Sequence, residues 1–262
     1  MFKTKKSLGQ NFLIDTSIVD RIIKSVDVKD NEKILEVGPG IGYLTKELKS
    51  FNSDLTCFEI DLDTKKYLDK LVDDKTKVIY KDFMKVDLNE YYNKDDKIHV
   101  IANIPYYITT PIIEKIIDSN LNILDMTLMV QKEVADRLIA TPGDKISGAI
   151  TYSVYYYADS ESIMLVDNNS FIPEPEVQSE VIKLKIRKEP AIELKDKDLF
   201  FKLIKISFMQ RRKTLMNSLV NGGVFKNKEQ ARAVFEEIGL DMNVRGENLS
   251  MQDFKNLCDK IG

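Results

Sequence analysis

Two residue types that carry much of enzyme chemistry are scarce in this chain. His99 is the only histidine in 262 residues, and it sits inside an apolar run. Multi-histidine metal sites are therefore excluded, and triads built on imidazole are disfavoured. The two cysteines, Cys57 and Cys258, stand far apart without a ligand spacing. That argues against a disulfide framework or a zinc site and fits a reducing cytoplasm; no metal is expected. No apolar run reaches the roughly 18 residues that a membrane-spanning helix needs. The basic start, Met1 to Lys6, lacks the apolar core of a secretory signal. A cytoplasmic protein with no membrane attachment is expected.

A strong excess of one charge is also missing. The net charge is −3, with 43% hydrophobic and 31% charged residues, the composition of an ordinary globular protein. The balance is uneven along the chain. From Asp198 onward eleven Lys/Arg face eight Asp/Glu, a local +3 that leaves −6 for the first 197 residues. A mildly basic tail on an acidic body permits nucleic-acid contact without requiring it.

What is present is an alternation of short apolar runs and helical periodicity. Residues 33–37, 55–59, 77–80, 97–103 and 124–130 read as buried strands. Helices are expected after Asp15 or Thr16, near Tyr43, after Asp61 or Asp63, from Thr110 and from Glu133 to Ala140. The runs 150–157 and 181–186 read as a closing strand pair around the loop Phe171–Pro175. Such alternation implies an α/β fold, a doubly wound, mostly parallel sheet. After Pro190 the pattern turns helical, with helices expected over 197–219, 228–239 and 250–260. The expected division is a catalytic domain, 1–190, and a small all-α domain, 191–262.

Four successive strand ends carry polar chemistry. Gly38-Pro39-Gly40-Ile41-Gly42 follows the first strand and exposes backbone to a nucleotide. A dinucleotide fingerprint would place its third glycine at Tyr43, so the spacing favours S-adenosylmethionine over NAD. Glu59 lies 21 residues beyond Gly38, where a carboxylate can accept both ribose hydroxyls. Asp82 ends the third strand, within reach of an adenine amine. Asn103-Ile104-Pro105-Tyr106 ends the fourth: an amide oxygen, a fixed chain direction and a flat face, suited to holding a base with an exocyclic amine. Each could singly be a helix cap or strand terminator; all four in register point to a nucleoside site.

These pieces resemble the ribosomal RNA adenine N6,N6-dimethyltransferases. The resemblance is carried by Leu8-Gly9-Gln10-Asn11-Phe12-Leu13, Glu36 to Gly42, Asn103 to Tyr106, Gln131 to Leu138 with Pro142-Gly143, Phe171-x-Pro173-x-Pro175-x-Val177, and Gln210-Arg211-Arg212-Lys213-Thr214-Leu215. The chain departs from the family at Tyr107, Ser147 and Gln178. The resemblance implies a Rossmann-like methyltransferase sheet and transfer of methyl groups from S-adenosylmethionine to N6 of two adjacent adenines near the 3′ end of small-subunit RNA. The partner it implies is that RNA in a precursor of the small subunit; a monomer is expected. Asn11, Leu13, Gly38, Glu59, Asp82 and Asn103 would line the cofactor site. Asn103, Ile104, Pro105 and Tyr106 would receive the adenine, with Phe171 stacking opposite Tyr106. Arg211, Arg212 and Lys213 would contact phosphates, or else form a solvated helix face. The alternatives are a macrolide-resistance type of large-subunit RNA methyltransferase, a DNA adenine methyltransferase, and a ribosome-assembly factor with secondary catalysis. The Gln210–Leu215 stretch favours the small-subunit enzyme over the first.

Overall fold

The computed structural model describes residues 5, 9–210 and 212–262. The chain divides into two compact units, 1–135 with 160–186 and 136–159 with 187–262. Compactness thus assigns 136–159 to the second unit, although it precedes Pro190.

In the first unit the ordered elements begin with β1 (Phe12–Leu13) and α1 (Thr16–Ser25). The Asp15 side chain caps α1 by accepting from Ser17 N–H, and Ile18, Val19 and Ile22 turn one apolar face inward. β2 (Lys33–Val37), α2 (Tyr43–Leu48), β3 (Asp54–Phe58), α3 (Lys65–Leu68) and β4 (Thr76–Ile79) follow. Then come β5 (Ile98–Asn103), α4 (Thr109–Ile117), β6 (Ile123–Gln131) and α5 (Lys132–Ile139). After α6 (Ala149–Tyr157), the sheet resumes with β7 (Ala158–Val166); β8 (Phe171–Ile172) and β9 (Ser179–Ile186) complete the strands.

Seven strands form one sheet in the order β4-β3-β2-β5-β6-β9-β7. The first five are mutually parallel and β9 runs antiparallel to β6. The parallel strands are near-continuous apolar runs because helices cover both faces; Ile34, Leu35, Ile98, Val100 and Ile101 are fully buried. Each such side chain contributes about 1.5–3 kcal/mol relative to exposure. β1 and β8 make a separate two-stranded pairing, with Leu13 opposite Phe171.

The sheet has a polar lock at the amino ends of its strands. His99 Nε2 lies 2.9 Å from Glu32 and Nδ1 lies 3.0 Å from Asp125, all three buried. Lys183 Nζ stands 3.8 Å from Asp125, and Lys97 Nζ 3.8 Å from Glu32.

The second unit packs α6 with α7 (Lys197–Met209), α8 (Leu215–Asn221), α9 (Lys228–Ile238) and α10 (Met251–Ile261) around Tyr152, Phe200, Phe235 and Phe254. Two expectations are corrected here. Residues 150–157, rich in β-branched and aromatic types, form a helix. Tertiary packing overrides their strand propensity: Tyr152 is fully buried and its hydroxyl donates to the Leu249 carbonyl, 2.5 Å away. The closing strand is Ala158–Val166. The single helix expected over 197–219 is two, because Thr214 caps a new start by accepting from Asn217 N–H.

Candidate active site

The sheet order places four strand ends side by side: Asp82 after β4, Glu59 after β3, Gly38 after β2 and Asn103 at the end of β5. They open into one cleft. Its walls include every expected cofactor residue, Asn11, Leu13, Gly38, Glu59, Asp82 and Asn103, together with Ile104, Pro105 and Tyr106.

The glycine loop is shaped by backbone that side chains rarely permit. Gly40 has φ +61°, and a Cβ there would lie 2.7 Å from the Phe12 ring. Its N–H donates to Glu59 Oε2 at 2.9 Å, while Asp61 N–H donates to Oε1 at 2.7 Å. Glu59 is thus held from both sides, and each oxygen keeps a lone pair for a ligand hydroxyl. Burial pushes its carboxyl upward, partly offset by those two N–H groups. Glu36, two residues before Gly38, is buried beside Cys57 (Sγ to Oε2, 3.3 Å), and burial raises its carboxyl to about 7.

Asp82 is partly exposed. One oxygen accepts from Met84 N–H at 3.0 Å, capping a short turn, and the other is 3.8 Å from Lys85 Nζ. It is both a cap and a cleft residue, so the two readings of this position coexist.

At the other end, Asn103 Nδ2 donates to the Asn11 carbonyl at 3.3 Å. A carbonyl can only accept, so this bond fixes the amide nitrogen and leaves Oδ1 as an acceptor directed elsewhere. Ile104 is buried, and its N–H donates to the Met129 carbonyl at 3.2 Å. The Tyr106 hydroxyl lies 2.5 Å from Ser179 Oγ, and burial raises its pKa. Tyr107, by contrast, is exposed and lies against Gly9, where a Cβ would come within 3.1 Å of its ring.

Phe171 is not brought to this cleft. It is 2% exposed and belongs to the apolar core with Leu13, Met129 and Val181. Its expected stacking opposite Tyr106 is not formed in this structure, where the ring packs into the core instead. Arg212 and Lys213 are exposed between α7 and α8, while Arg211 lies outside the described residues. Sequence reasoning missed Gln10, Asp61 and Ser179. Gln10 lay within a matched motif, and Asp61 was taken only as a helix start. Ser179 carried no local signal.

The residues fit an adenosyl cofactor on structural grounds. A buried carboxylate is preset by two backbone donors, a second carboxylate stands one strand away on one side, and the bare glycine loop on its other side lets a ligand approach the backbone. No group of three or more potential metal ligands occurs among the described residues. Nor is any helix among them long and apolar enough to cross a membrane.

Comparison with known proteins identifies the family. The family model described as ribosomal RNA adenine dimethylase matches residues 1–261. The chain is 44% identical to ribosomal RNA small subunit methyltransferase A of Clostridioides difficile, covering 99% of this chain and 91% of that protein. The namesake in Bacillus licheniformis is 41% identical, at 99% and 92% coverage. Among solved structures, a dimethyladenosine transferase from Plasmodium falciparum superposes with a TM-score of 0.75 at 27% identity, covering 94% of this chain and 95% of that one. A 23S rRNA methyltransferase gives 0.68 at 22% identity, covering 96% and 99%; that likeness is one of fold.

Proposed function

Because the chain belongs to the ribosomal RNA adenine dimethylase family, we propose that its substrate is the small-subunit RNA, at two adjacent adenines near the 3′ end. The protein is an S-adenosylmethionine-dependent methyltransferase. The observation that carries the mechanistic reading is the fixed amide of Asn103 at the mouth of the cleft.

The cofactor, when bound, supplies an electrophilic methyl group. Glu59 would hold its ribose through the lone pairs that Gly40 and Asp61 leave free. Asp82 would accept from its adenine amine, and Asn11, Leu13 and Gly38 would enclose it. The target adenine amine is a poor nucleophile because its lone pair is delocalised into the ring. Asn103 Oδ1 and the Ile104 carbonyl would accept its two N–H bonds and favour a pyramidal nitrogen aimed at the methyl group. This is catalysis by orientation and local electrostatics and requires no strong base. Pro105 fixes the turn that presents them, and Tyr106 stacks on the extruded base. Arg211, Arg212 and Lys213, in a helical RNA-binding domain taken as 191–262, would contact phosphates. The reaction would take place in the cytoplasm, on a precursor particle, with the enzyme as a monomer.

The direct test is mass spectrometry of the 3′-terminal adenines of small-subunit RNA from cells with and without this protein. Dimethylation that depends on the gene, and that Asn103→Ala does not restore, supports the reading. Unchanged modification in its absence rejects it.

A further inference from the structure

Asp61 is buried although it is charged, and the cap it forms for the turn 62–64 accounts for only one of its bonds. Oδ1 accepts from Asp63 N–H at 3.0 Å and from Lys5 Nζ at 2.5 Å; Oδ2 accepts from Gln10 Nε2 at 2.6 Å. Lys5 Nζ also lies 2.7 Å from Asp63. Burial alone would raise the Asp61 carboxyl; the donors from Lys5 and Gln10 outweigh it and keep the group charged.

The Gln10 amide is fixed at both ends. Its Oε1 accepts from Lys5 N–H at 2.8 Å, so its nitrogen must be the atom facing Asp61. The next residue, Asn11, offers the carbonyl that fixes Asn103 Nδ2. In the other direction, the N–H of Asp61 holds Glu59 Oε1. A continuous chain of bonds therefore joins the carboxylate at the ribose end of the cleft to the amide at its acceptor end. Every member has its donor and acceptor assigned by its partner.

We propose that Gln10 and Asp61 are positioning residues: their hydrogen bond holds the Asn11 carbonyl in place, so that Asn103 presents oxygen rather than nitrogen to the target amine. Neither residue touches the reacting atoms. Without that bond, the Asn11 carbonyl is anchored only from the β1 side, and the Asn103 amide can turn over, which places a donor where an acceptor is needed. The inference rests on the acceptor role given to Asn103 above.

The test is single-turnover methyl transfer to the RNA substrate at saturating S-adenosylmethionine, with folding checked by thermal unfolding. Gln10→Ala should lower the rate about tenfold or more, the scale of a lost hydrogen bond to a charged group, and leave RNA affinity unchanged. Gln10→Glu sets a second carboxylate against Asp61, with Lys5, Asp63 and Glu59 as the other charged groups facing it. Its rate should fall at alkaline pH and recover as the pair takes up a shared proton. The double variant Gln10→Glu/Asp61→Asn exchanges donor and acceptor, and should regain most of the rate and lose the pH dependence. A structural filler would show neither effect. A wild-type rate in Gln10→Ala, or a double variant no better than the worse single, overturns the proposal. The acceptor reading fails separately: an Asn103→Ala enzyme with near-normal turnover rejects it whatever the Gln10 variants do. An inactive Asn103→Ala beside a normal Gln10→Ala rejects the positioning role alone.

Discussion

The hydroxyl of Tyr106 and Oγ of Ser179 lie 2.5 Å apart, tying the loop after β5 to the first residue of β9. The tether sets the plane of the ring proposed to stack on the target base. Tyr106→Phe keeps the ring and loses the tether, and is expected to slow methyl transfer about three- to tenfold, the worth of one hydrogen bond. Ser179→Ala should do the same, and the double variant little more, because both remove one interaction. Tyr106→Ala removes the stacking surface, worth about 1–3 kcal/mol per base, and should be far slower. Single-turnover rates check all four; a Tyr106→Ala enzyme as fast as Tyr106→Phe would remove the ring from the mechanism.

Glu59 accepts from two backbone N–H groups before any ligand arrives. Glu59→Gln must turn an NH2 toward one of those donors, so it should bind S-adenosylmethionine more weakly by about 1–3 kcal/mol, the penalty of a buried polar mismatch. Calorimetry measures this directly, and an unchanged Kd in a folded variant would take Glu59 out of the ribose site.

The His99 lock predicts a pH dependence of stability. Both ring nitrogens face carboxylates, an arrangement that favours the doubly protonated ring. Burial acts to lower its pKa, but the bonds to Asp125 and Glu32 outweigh it and hold it above the ordinary 6.5. Its contribution is then complete below pH 6.5 and lost as pH rises through the higher folded value. Glu32 is held below its ordinary 4.5 despite burial, chiefly by His99, so its share fades only as pH falls through that lowered value. The melting temperature should therefore decline above pH 6.5. His99→Gln should flatten that decline while lowering stability by about 3–5 kcal/mol, the usual result of breaking a buried ion pair. Thermal unfolding across pH, without cofactor, is the check.

Arg212 and Lys213 belong to the second compact unit, and all six cofactor residues to the first. Neutralising both should flatten the salt dependence of RNA binding by about 0.7–0.9 log units for each phosphate no longer neutralised, with cofactor affinity unchanged. An unaltered slope would leave them a solvated surface.

The parallel sheet was legible because buried strands and their polar ends occur in strict alternation with amphipathic helices. The four strand-end residues could be found one by one, and their adjacency followed from the fold. The errors have physical sources. Residues 150–157 combine β-branched and aromatic side chains that suit a strand, and only the core around Tyr152 decides otherwise. The burial of Phe171 could not be read locally: it precedes an exposed Ile172, and its pairing with Leu13 joins segments more than 150 residues apart. Gln10 and Ser179 act through distant partners, and no local pattern announces such bonds.

The β6–β9 pairing has a consequence for when the site becomes whole during synthesis. The glycine loop, Glu59, Asp82 and Asn103 have all left the ribosome well before residue 179 is added, so the cofactor half of the cleft can form early. Ser179 enters with β9, the last strand of the sheet in chain order, which pairs with β6 from Ser179 opposite Gln131 onward. Until that strand docks, the Tyr106 ring has no anchor. A nascent chain can therefore hold the methyl donor before it can hold an acceptor base.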